Sequence, residues 1–161
     1  MHAMEAATQV PRASRRVGSR PEVLLAEDDR ELRLLLTMAL GKAGFEVTTA
    51  ESGADLLTCL WERAAQNDTF DLIISDNLMP AFTGLEVLEG LRDECEPQIA
   101  DTPVIIITAF GDPELHDEAE GLGAVVFNKP FDVDDLCAYA LELLRPRLAH
   151  PTLQGGDDGP G

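Results

Sequence analysis

Polar side chains that could bind a cation or a phosphoryl group follow four short apolar runs of this chain. Glu27 and Asp28 follow VLLA, Asp76 follows DLIIS, Thr108 ends VIIIT and Lys129 follows VVFN. The carboxyl ends of parallel strands meet at one edge of a sheet, so these residues could converge although they are far apart in the sequence. An acidic pair, a further aspartate, a hydroxyl and a lysine are together suited to hold a divalent cation and a phosphoryl group.

Apolar runs of strand length alternate with amphipathic segments of helix length between residues 21 and 148. This alternation indicates repeated βα units and predicts a (βα)5 doubly wound α/β domain with a parallel sheet. The predicted strands are 22–26, 46–50, 71–75, 103–108 and 124–128, and the predicted helix caps are Asp29, Ser52, Asp112 and Asp132. The spacing of Ser52 and Asp55 suits a capping box, and Phe45 and Trp61 are predicted core residues.

Composition limits the classes of partner. The chain has 161 residues, close to one domain, and its net charge of -18 opposes binding to nucleic acid or to an anionic membrane. Residues 1–20 contain Arg12, Arg15, Arg16 and Arg20 against Glu5 alone, and we predict a disordered basic extension there. Residues 149–161 are rich in glycine and proline and predict a disordered acidic tail. The domain itself is then residues 21–148.

The cysteines and the apolar runs point to a cytoplasmic protein. Cys59, Cys95 and Cys137 are odd in number and widely spaced, which predicts reduced, packed thiols rather than a disulfide or zinc site. No run approaches the ~18 apolar residues of a membrane span, and the N-terminus lacks the apolar core of a secretion signal. His116 has no cysteine or carboxylate partner at a catalytic spacing and is predicted to lie on the surface.

Four segments together resemble the receiver domain of response regulators, the CheY-like family of two-component signalling. They are LLAEDDRELR, DLIISDNLMP with Gly84 four residues beyond Pro80, VIIITA and LGAVVFNKPF, and they span residues 22–148. Each segment alone is a weak signal, but the ordered set at these spacings is specific. The resemblance implies a flavodoxin-like fold whose five parallel strands have the order 2-1-3-4-5.

The resemblance also implies a magnesium site and a phosphoacceptor. Asp76 matches the phosphoacceptor aspartate, and a carboxylate can attack phosphorus once charge repulsion is neutralised. Asp28 matches a direct Mg2+ ligand and Glu27 a ligand acting through water, with Asp76 and the backbone carbonyl of Leu78 completing the set. Magnesium favours such oxygen ligands and retains waters. Three carboxylates close together repel one another without the cation, which favours metal uptake.

The remaining matched residues imply a conformational switch. Lys129 would pair with Asp76 before reaction and with a phosphoryl oxygen afterwards, while Thr108 would move to hydrogen-bond the same group. Relatives carry the peptide bond between Lys129 and Pro130 in cis. The family usually has Tyr or Phe three residues before this lysine, where this chain has Val126. Phe127 comes next, and strand alternation directs its side chain to the opposite face.

The function implied is a single-domain response regulator rather than an enzyme. A histidine kinase or phosphotransfer protein would donate the phosphoryl group, and the output would be contact with a downstream protein or phosphorelay, without direct binding to nucleic acid or membrane. Only self-phosphorylation from small donors and self-dephosphorylation are expected.

Two alternatives to this function stay open. One is a pseudo-receiver that acts as a constitutive interaction module. The other is a Mg2+-dependent aspartyl-phosphate hydrolase, although Leu78 stands where such enzymes need a second aspartate.

Individually, the site residues also permit plainer structural roles. Asp28 could cap a helix, Asp76 could form a turn, Thr108 could be a strand residue and Lys129 a solvated charge. All four coincidences at strand ends would be needed to explain the pattern this way.

Overall fold

The sheet and its two helix layers form the domain that the sequence predicts. A computed structural model of the chain describes residues 19–94 and 96–148, so most of the predicted extension, Cys95 and the predicted tail lie outside the described residues. Five parallel strands pair in the order β2-β1-β3-β4-β5, which confirms the predicted topology. The strands are β1 (Glu22–Ala26), β2 (Glu46–Ala50), β3 (Leu72–Asp76), β4 (Val104–Thr108) and β5 (Val125–Asn128).

A helix follows each strand, and one additional helical turn precedes β4. The helices are α1 (Arg30–Lys42), α2 (Gly53–Ala64), α3 (Gly84–Arg92), α4 (Pro97–Ala100), α5 (Pro113–Gly121) and α6 (Val133–Leu148). The short α4 was not predicted, because four residues are too few to carry a helical period; Pro97 supports its first turn. Within the described residues, no helix is both long enough and apolar enough to span a membrane.

The predicted helix caps form, but the capping box lies elsewhere. Backbone N–H groups donate to the side chains of the four predicted caps, Asp29, Ser52, Asp112 and Asp132. The Asp55 carboxylate accepts from the Glu51 N–H at 3.2 Å rather than from Ser52, so the box predicted there is incomplete. A reciprocal box forms instead between Thr83 and Glu86 at the start of α3.

The core has two layers, one on each face of the sheet. Side chains of α2, α3 and α5 pack on one face, and those of α1 and α6 pack on the other. β3 and β4 are buried along their whole length, as expected for central parallel strands. Phe45 is buried as predicted, whereas Trp61 is 44% exposed and the prediction of a core tryptophan is wrong. Trp61 lies on the outer side of α2, because Leu56 and Leu60 take the inward positions.

The chain enters the sheet between α1 and α2. Arg20, at the edge of the predicted extension, donates to the carbonyl oxygens of Gly41 at 2.8 Å and Phe45 at 3.0 Å. Two residues later, the Glu22 carboxylate pairs with Arg63 in the last turn of α2. The start of β1 is therefore held to both neighbouring helices.

Two of the three thiols can be described. Cys59 and Cys137 are free, and burial raises the pKa of both. Their thiolate form is thereby disfavoured, as expected for packed thiols.

Candidate functional site

Charged side chains from three strand ends meet at the carboxyl edge of the sheet. The carboxylate oxygens of Glu27, Asp28 and Asp76 lie within 4.8 Å of one another. The ammonium Nζ of Lys129 lies 3.1 Å from Asp76 Oδ2 and 3.3 Å from Glu27 Oε1. Parallel pairing of β1, β3, β4 and β5 in one register produces this convergence. Four of the predicted site residues are thus brought together.

The three carboxylates differ in their contact with solvent. Glu27 is completely buried, Asp76 is 4% exposed and Asp28 is exposed. Burial, with a smaller contribution from the neighbouring Asp76, raises the pKa of Glu27 to about 7, although the N–H of Asp29 and the charge of Lys129 act in the opposite direction. One ammonium faces three carboxylates, so the cluster carries an excess of negative charge.

Lys129 is fixed by both its side chain and its backbone. Burial alone would lower the pKa of Lys129, but hydrogen bonds and charge from Asp76 and Glu27 outweigh burial and raise that pKa. The ammonium therefore stays charged. Its backbone N–H donates to the Thr108 carbonyl at 2.7 Å. The peptide bond between Lys129 and Pro130 is cis, as the resemblance implied.

Thr108 and Leu78 stand at the margin of the cluster. Thr108 is fully buried at the end of β4, and its Oγ1 accepts from the N–H of Phe110 at 3.1 Å. The N–H of Leu78 donates to Asp76 Oδ1 at 3.3 Å. Leu78 therefore follows Asp76 closely enough to orient its carboxylate, while the role of its carbonyl as a metal ligand stays a prediction.

Comparison with known proteins assigns the domain, including the acidic cluster, to one family. The family model described as the response regulator receiver domain matches residues 23–141, a span that includes the whole cluster. The chain belongs to the response-regulator receiver family. Receiver domains generally bind Mg2+, and in this receiver domain Glu27, Asp28 and Asp76 are the acidic residues gathered at one point.

Relatives of this receiver domain include short and long proteins. The response regulator receiver protein CpdR of Brucella abortus is 36% identical over 115 residues, which cover 71% of this chain and 88% of CpdR. The C4-dicarboxylate transport transcriptional regulatory protein DctD of Pseudomonas aeruginosa is 38% identical over 137 residues, 83% of this chain but only 28% of DctD. The structure of the chemotaxis response regulator CheY4 of Vibrio cholerae has a TM-score of 0.65 and 32% identity, covering 78% of this chain and 99% of CheY4.

The fifth strand of the receiver domain directs consecutive side chains to opposite layers. Val126 packs against the layer of α2, α3 and α5, and Phe127 packs in the layer of α1 and α6. The Phe127 ring contacts Phe131 with centroids 6.1 Å apart and Tyr139 with centroids 5.7 Å apart. The alternation predicted for these two residues is present, whereas their part in a switch stays a prediction.

The loop after β3 relies on a close backbone contact that the sequence did not predict. A Cβ added at Gly84 would lie 2.8 Å from the carbonyl oxygen of Asp76 and 3.2 Å from Asn77 Cα. Asn77 Oδ1 accepts from the N–H of Leu85 at 2.9 Å and ties the loop to α3. Glycine is needed at this position because the start of α3 rests directly on the backbone that carries Asp76.

Two further contacts around the site were not predicted. Arg33 Nη1 donates to the backbone carbonyl of Glu27 at 2.9 Å, so α1 holds the acidic segment in place. His116 Nε2 lies 3.3 Å from Asn128 Oδ1, beside the segment that connects β4 to α5. Neither contact has a sequence signal, because both join residues whose spacing follows no motif.

Proposed function

We propose that this receiver domain accepts a phosphoryl group on Asp76, with Mg2+ bound beside it, and passes the signal to a protein partner. The donor would be a histidine kinase or a phosphotransfer protein. The observation that carries the proposal is the ammonium of Lys129 at 3.1 Å from the nearly buried Asp76 carboxylate, inside a cluster of three acids. A structural ion pair would not need two further carboxylates beside it.

The chemistry is a displacement at phosphorus. An Asp76 carboxylate oxygen attacks the phosphorus, the bond from phosphorus to the donor nitrogen breaks, and that nitrogen keeps the electron pair and takes up a proton. Lys129 lowers the repulsion between the attacking carboxylate and the incoming phosphoryl oxygens. The hydroxyl of Thr108 can donate to a phosphoryl oxygen once it leaves its present contact with the Phe110 N–H.

The donor set fits a magnesium ion. All three clustered side chains offer carboxylate oxygens, which a small hard cation prefers, and the exposed Asp28 leaves room for coordinated water. We assign Asp28 as a direct ligand, Glu27 as a ligand through water, and Asp76 with the carbonyl of Leu78 as the remaining protein ligands. Bound Mg2+ would neutralise the charge that otherwise opposes transfer.

An exposed apolar surface on α1 supports docking of a phosphodonor protein. Leu34, Leu35 and Met38 are 52%, 50% and 62% exposed. Helix α1 begins directly after the acidic segment, so a helical partner packed on this surface would bring a phosphohistidine towards Asp76. A net charge of -18 makes direct contact of this chain with nucleic acid unfavourable. NtrC of Escherichia coli, a DNA-binding transcriptional regulator by name, is matched over only 25% of its length.

The test is incubation with acetyl phosphate and Mg2+ followed by intact mass measurement. We expect one phosphate on the wild-type chain, none on Asp76→Asn, and none on the wild type when EDTA replaces Mg2+. Unchanged wild-type mass with correct folding would refute the proposal and favour a constitutive interaction module.

A hydrolase function of the same cluster is separable from phosphoacceptance by experiment. Steady phosphate release from small phosphomonoesters would favour a hydrolase; we expect none, because Leu78 occupies the position of its second aspartate. The proposal concerns what residues 22–148 do, and applies equally to a receiver that works alone and to the receiver portion of a longer regulator.

A further inference from the structure

An apolar groove separates α2 from α3 on the side of the domain away from α1. The rings of Trp61 and Phe82 are 44% and 42% exposed at its margins. The cavity has a volume of about 240 Å3, and its lining residues are Leu57, Trp61, Phe82, Glu86, Val87, Gly90, Leu91 and Glu94. Because Trp61 and Phe82 line the same groove, they form a contiguous apolar patch, which marks a binding surface more often than single exposed apolar side chains do.

The backbone holds Phe82 at the edge of this groove. A Cβ added at Gly53 would lie 2.6 Å from the Phe82 carbonyl oxygen, so the loop rests on the first residue of α2. The Gly53 N–H also donates to the Pro80 carbonyl at 3.1 Å. Ala81 has a φ of 79°, a left-handed conformation that costs energy for a residue with a side chain. The exposure of Phe82 is thus fixed by packing and by a strained neighbour.

The two helices that form the groove present only negative charge to solvent. Glu62, Glu86 and Glu89 are exposed, and α2 and α3 contain one basic residue each. Arg63 is paired with Glu22 and stacked on an aromatic ring, and Arg92 donates to three backbone carbonyls. The opposite face differs, because α1 carries Arg30, Arg33 and Lys42. A basic segment is therefore complementary to the groove and less so to α1.

The N-terminal segment, residues 1–18, has the matching composition, and Ser19, the residue that follows it, stands three positions before the start of β1. It contains Arg12, Arg15 and Arg16 with Val10 and Val17 on either side. The ion pair between Glu22 and Arg63 holds the start of β1 against α2. Arg63 lies two residues after Trp61 on this helix.

The reach of this segment is sufficient. From Arg20, whose side chain is held at Gly41 and Phe45, back to Arg12 an extended chain spans up to roughly 26 Å, whereas the nine residues from Glu86 to Glu94 span only about 12 Å of helix.

We propose that the groove between α2 and α3 binds the N-terminal segment of the same chain, with a valine between Trp61 and Phe82 and the arginines at the acidic rim. In this arrangement the valine is an apolar anchor in the groove and the arginines pair with carboxylates at its edge. Short segments commonly bind grooves in this way. This inference does not depend on phosphorylation of the domain.

The test uses Trp61, the only tryptophan of the chain, as its probe. In the full-length chain, replacing Arg12, Arg15 and Arg16 together by Glu should move the Trp61 emission to longer wavelength and strengthen quenching by acrylamide. Val10→Ser with Val17→Ser should act in the same direction. In 1 M NaCl, where the screening length is about 3 Å, the wild-type chain should approach the arginine variant.

Two controls separate groove binding from a general effect of charge. Replacing Arg30, Lys42 and Arg145 by Glu makes the same change in net charge on the opposite face and should leave Trp61 unchanged. A Cβ added at Gly90 would meet no atom within 4 Å, so Gly90→Leu places an apolar side chain in the groove without a clash at its Cβ. In that background the three Arg→Glu changes should have no further effect on Trp61.

Three outcomes would overturn the proposal. The first is identical Trp61 emission and quenching in the wild-type chain and the arginine variant. The second is an equal change in Trp61 emission when Arg30, Lys42 and Arg145 are replaced by Glu, because net charge alone would then explain the effect. The third is loss of the wild-type signal on hundredfold dilution, because a segment from a second copy would then be the occupant.

Discussion

The acidic cluster should make the metal-free domain less stable than a variant that lacks one of its charges. Asp76 is nearly buried and shares its surroundings with Glu27 and Asp28, while Lys129 is the cation in contact. Asp76→Asn keeps the shape of the side chain and removes its charge. We expect this variant to be more stable than the wild type in metal-free buffer and, if the proposed function holds, unable to accept a phosphoryl group.

The magnitude follows from the distances. With an effective dielectric constant of about 20, charges at the outer limit of 4.8 Å repel by roughly 3.5 kcal/mol, and the ammonium at 3.1 Å attracts by roughly 5 kcal/mol. Two repulsions therefore slightly exceed one attraction, and the cost of burying the Asp76 charge adds to them. Lys129 keeps Glu27 as a partner at 3.3 Å and is not left unpaired. We expect a gain of about 2 kcal/mol in the free energy of unfolding.

The gain should depend on pH. The pKa of Glu27 is about 7 in the folded state and 4.5 for an unperturbed glutamate, so the folded state binds this proton more tightly. Its contribution to stability is therefore favourable at low pH and is lost as pH rises through 7. Above that pH Glu27 is charged and repels Asp76, so Asp76→Asn should gain more at pH 8 than at pH 6.

Urea unfolding of both chains, with EDTA and with saturating Mg2+, is the assay. Metal should stabilise the wild type, by about 2.7 kcal/mol at a hundredfold excess over Kd, and should stabilise Asp76→Asn less, so the difference shrinks or reverses. Asp117→Asn, an exposed acid on α5, is the matched control and should change stability by less than about 0.5 kcal/mol. If metal-free Asp76→Asn at pH 8 is no more stable than the wild type, the electrostatic account of the cluster fails.

Three further substitutions test the fold, the loop and the docking surface. Arg92→Met should lower the free energy of unfolding by about 2–4 kcal/mol, because three carbonyls at 2.7–2.9 Å lose their donor; a urea midpoint within error of the wild type would contradict this. Gly84→Ala should cost about 1–3 kcal/mol and slow acetyl phosphate labelling, since its Cβ would displace the backbone at Asp76; normal labelling in the folded variant would argue against that contact. Met38→Glu should slow transfer from a histidine kinase about tenfold and leave acetyl phosphate labelling unchanged, and equal effects on both donors would exclude a docking role.

The sequence predicts the sheet well because its signals are local. Both β1 and β2 have the predicted bounds, and each predicted cap holds backbone N–H groups. The side of a helix that faces the sheet is harder to predict when two adjacent stripes are apolar. Leu57 and Trp61 form such a stripe beside Leu56 and Leu60 on α2, and only packing against the sheet decides that the latter pair points inward.

The sequence predicts which residues form the site but not their burial or their pKa values. Strand ends in a parallel sheet must share an edge, so the convergence of Glu27, Asp28, Asp76 and Lys129 follows from the strand pattern. The pKa of Glu27 depends instead on complete burial, which the sequence gives no means to distinguish from the exposure of the adjacent Asp28. The close contact of Gly84 with the Asp76 backbone is a three-dimensional fact of the same kind.

The placement of the aromatic on β5 limits the routes by which the proposed phosphorylation could change the structure. Phe127 is held between Phe131 and Tyr139 in the layer of α1 and α6, and Val126 occupies the layer that contains α5. Because a β-branched valine has a narrow choice of rotamers and little volume to move, a large rotation at this position is not available. A change at Thr108 would therefore reach α5 through the backbone that joins β4 to α5, where His116 contacts Asn128, rather than through an aromatic side chain.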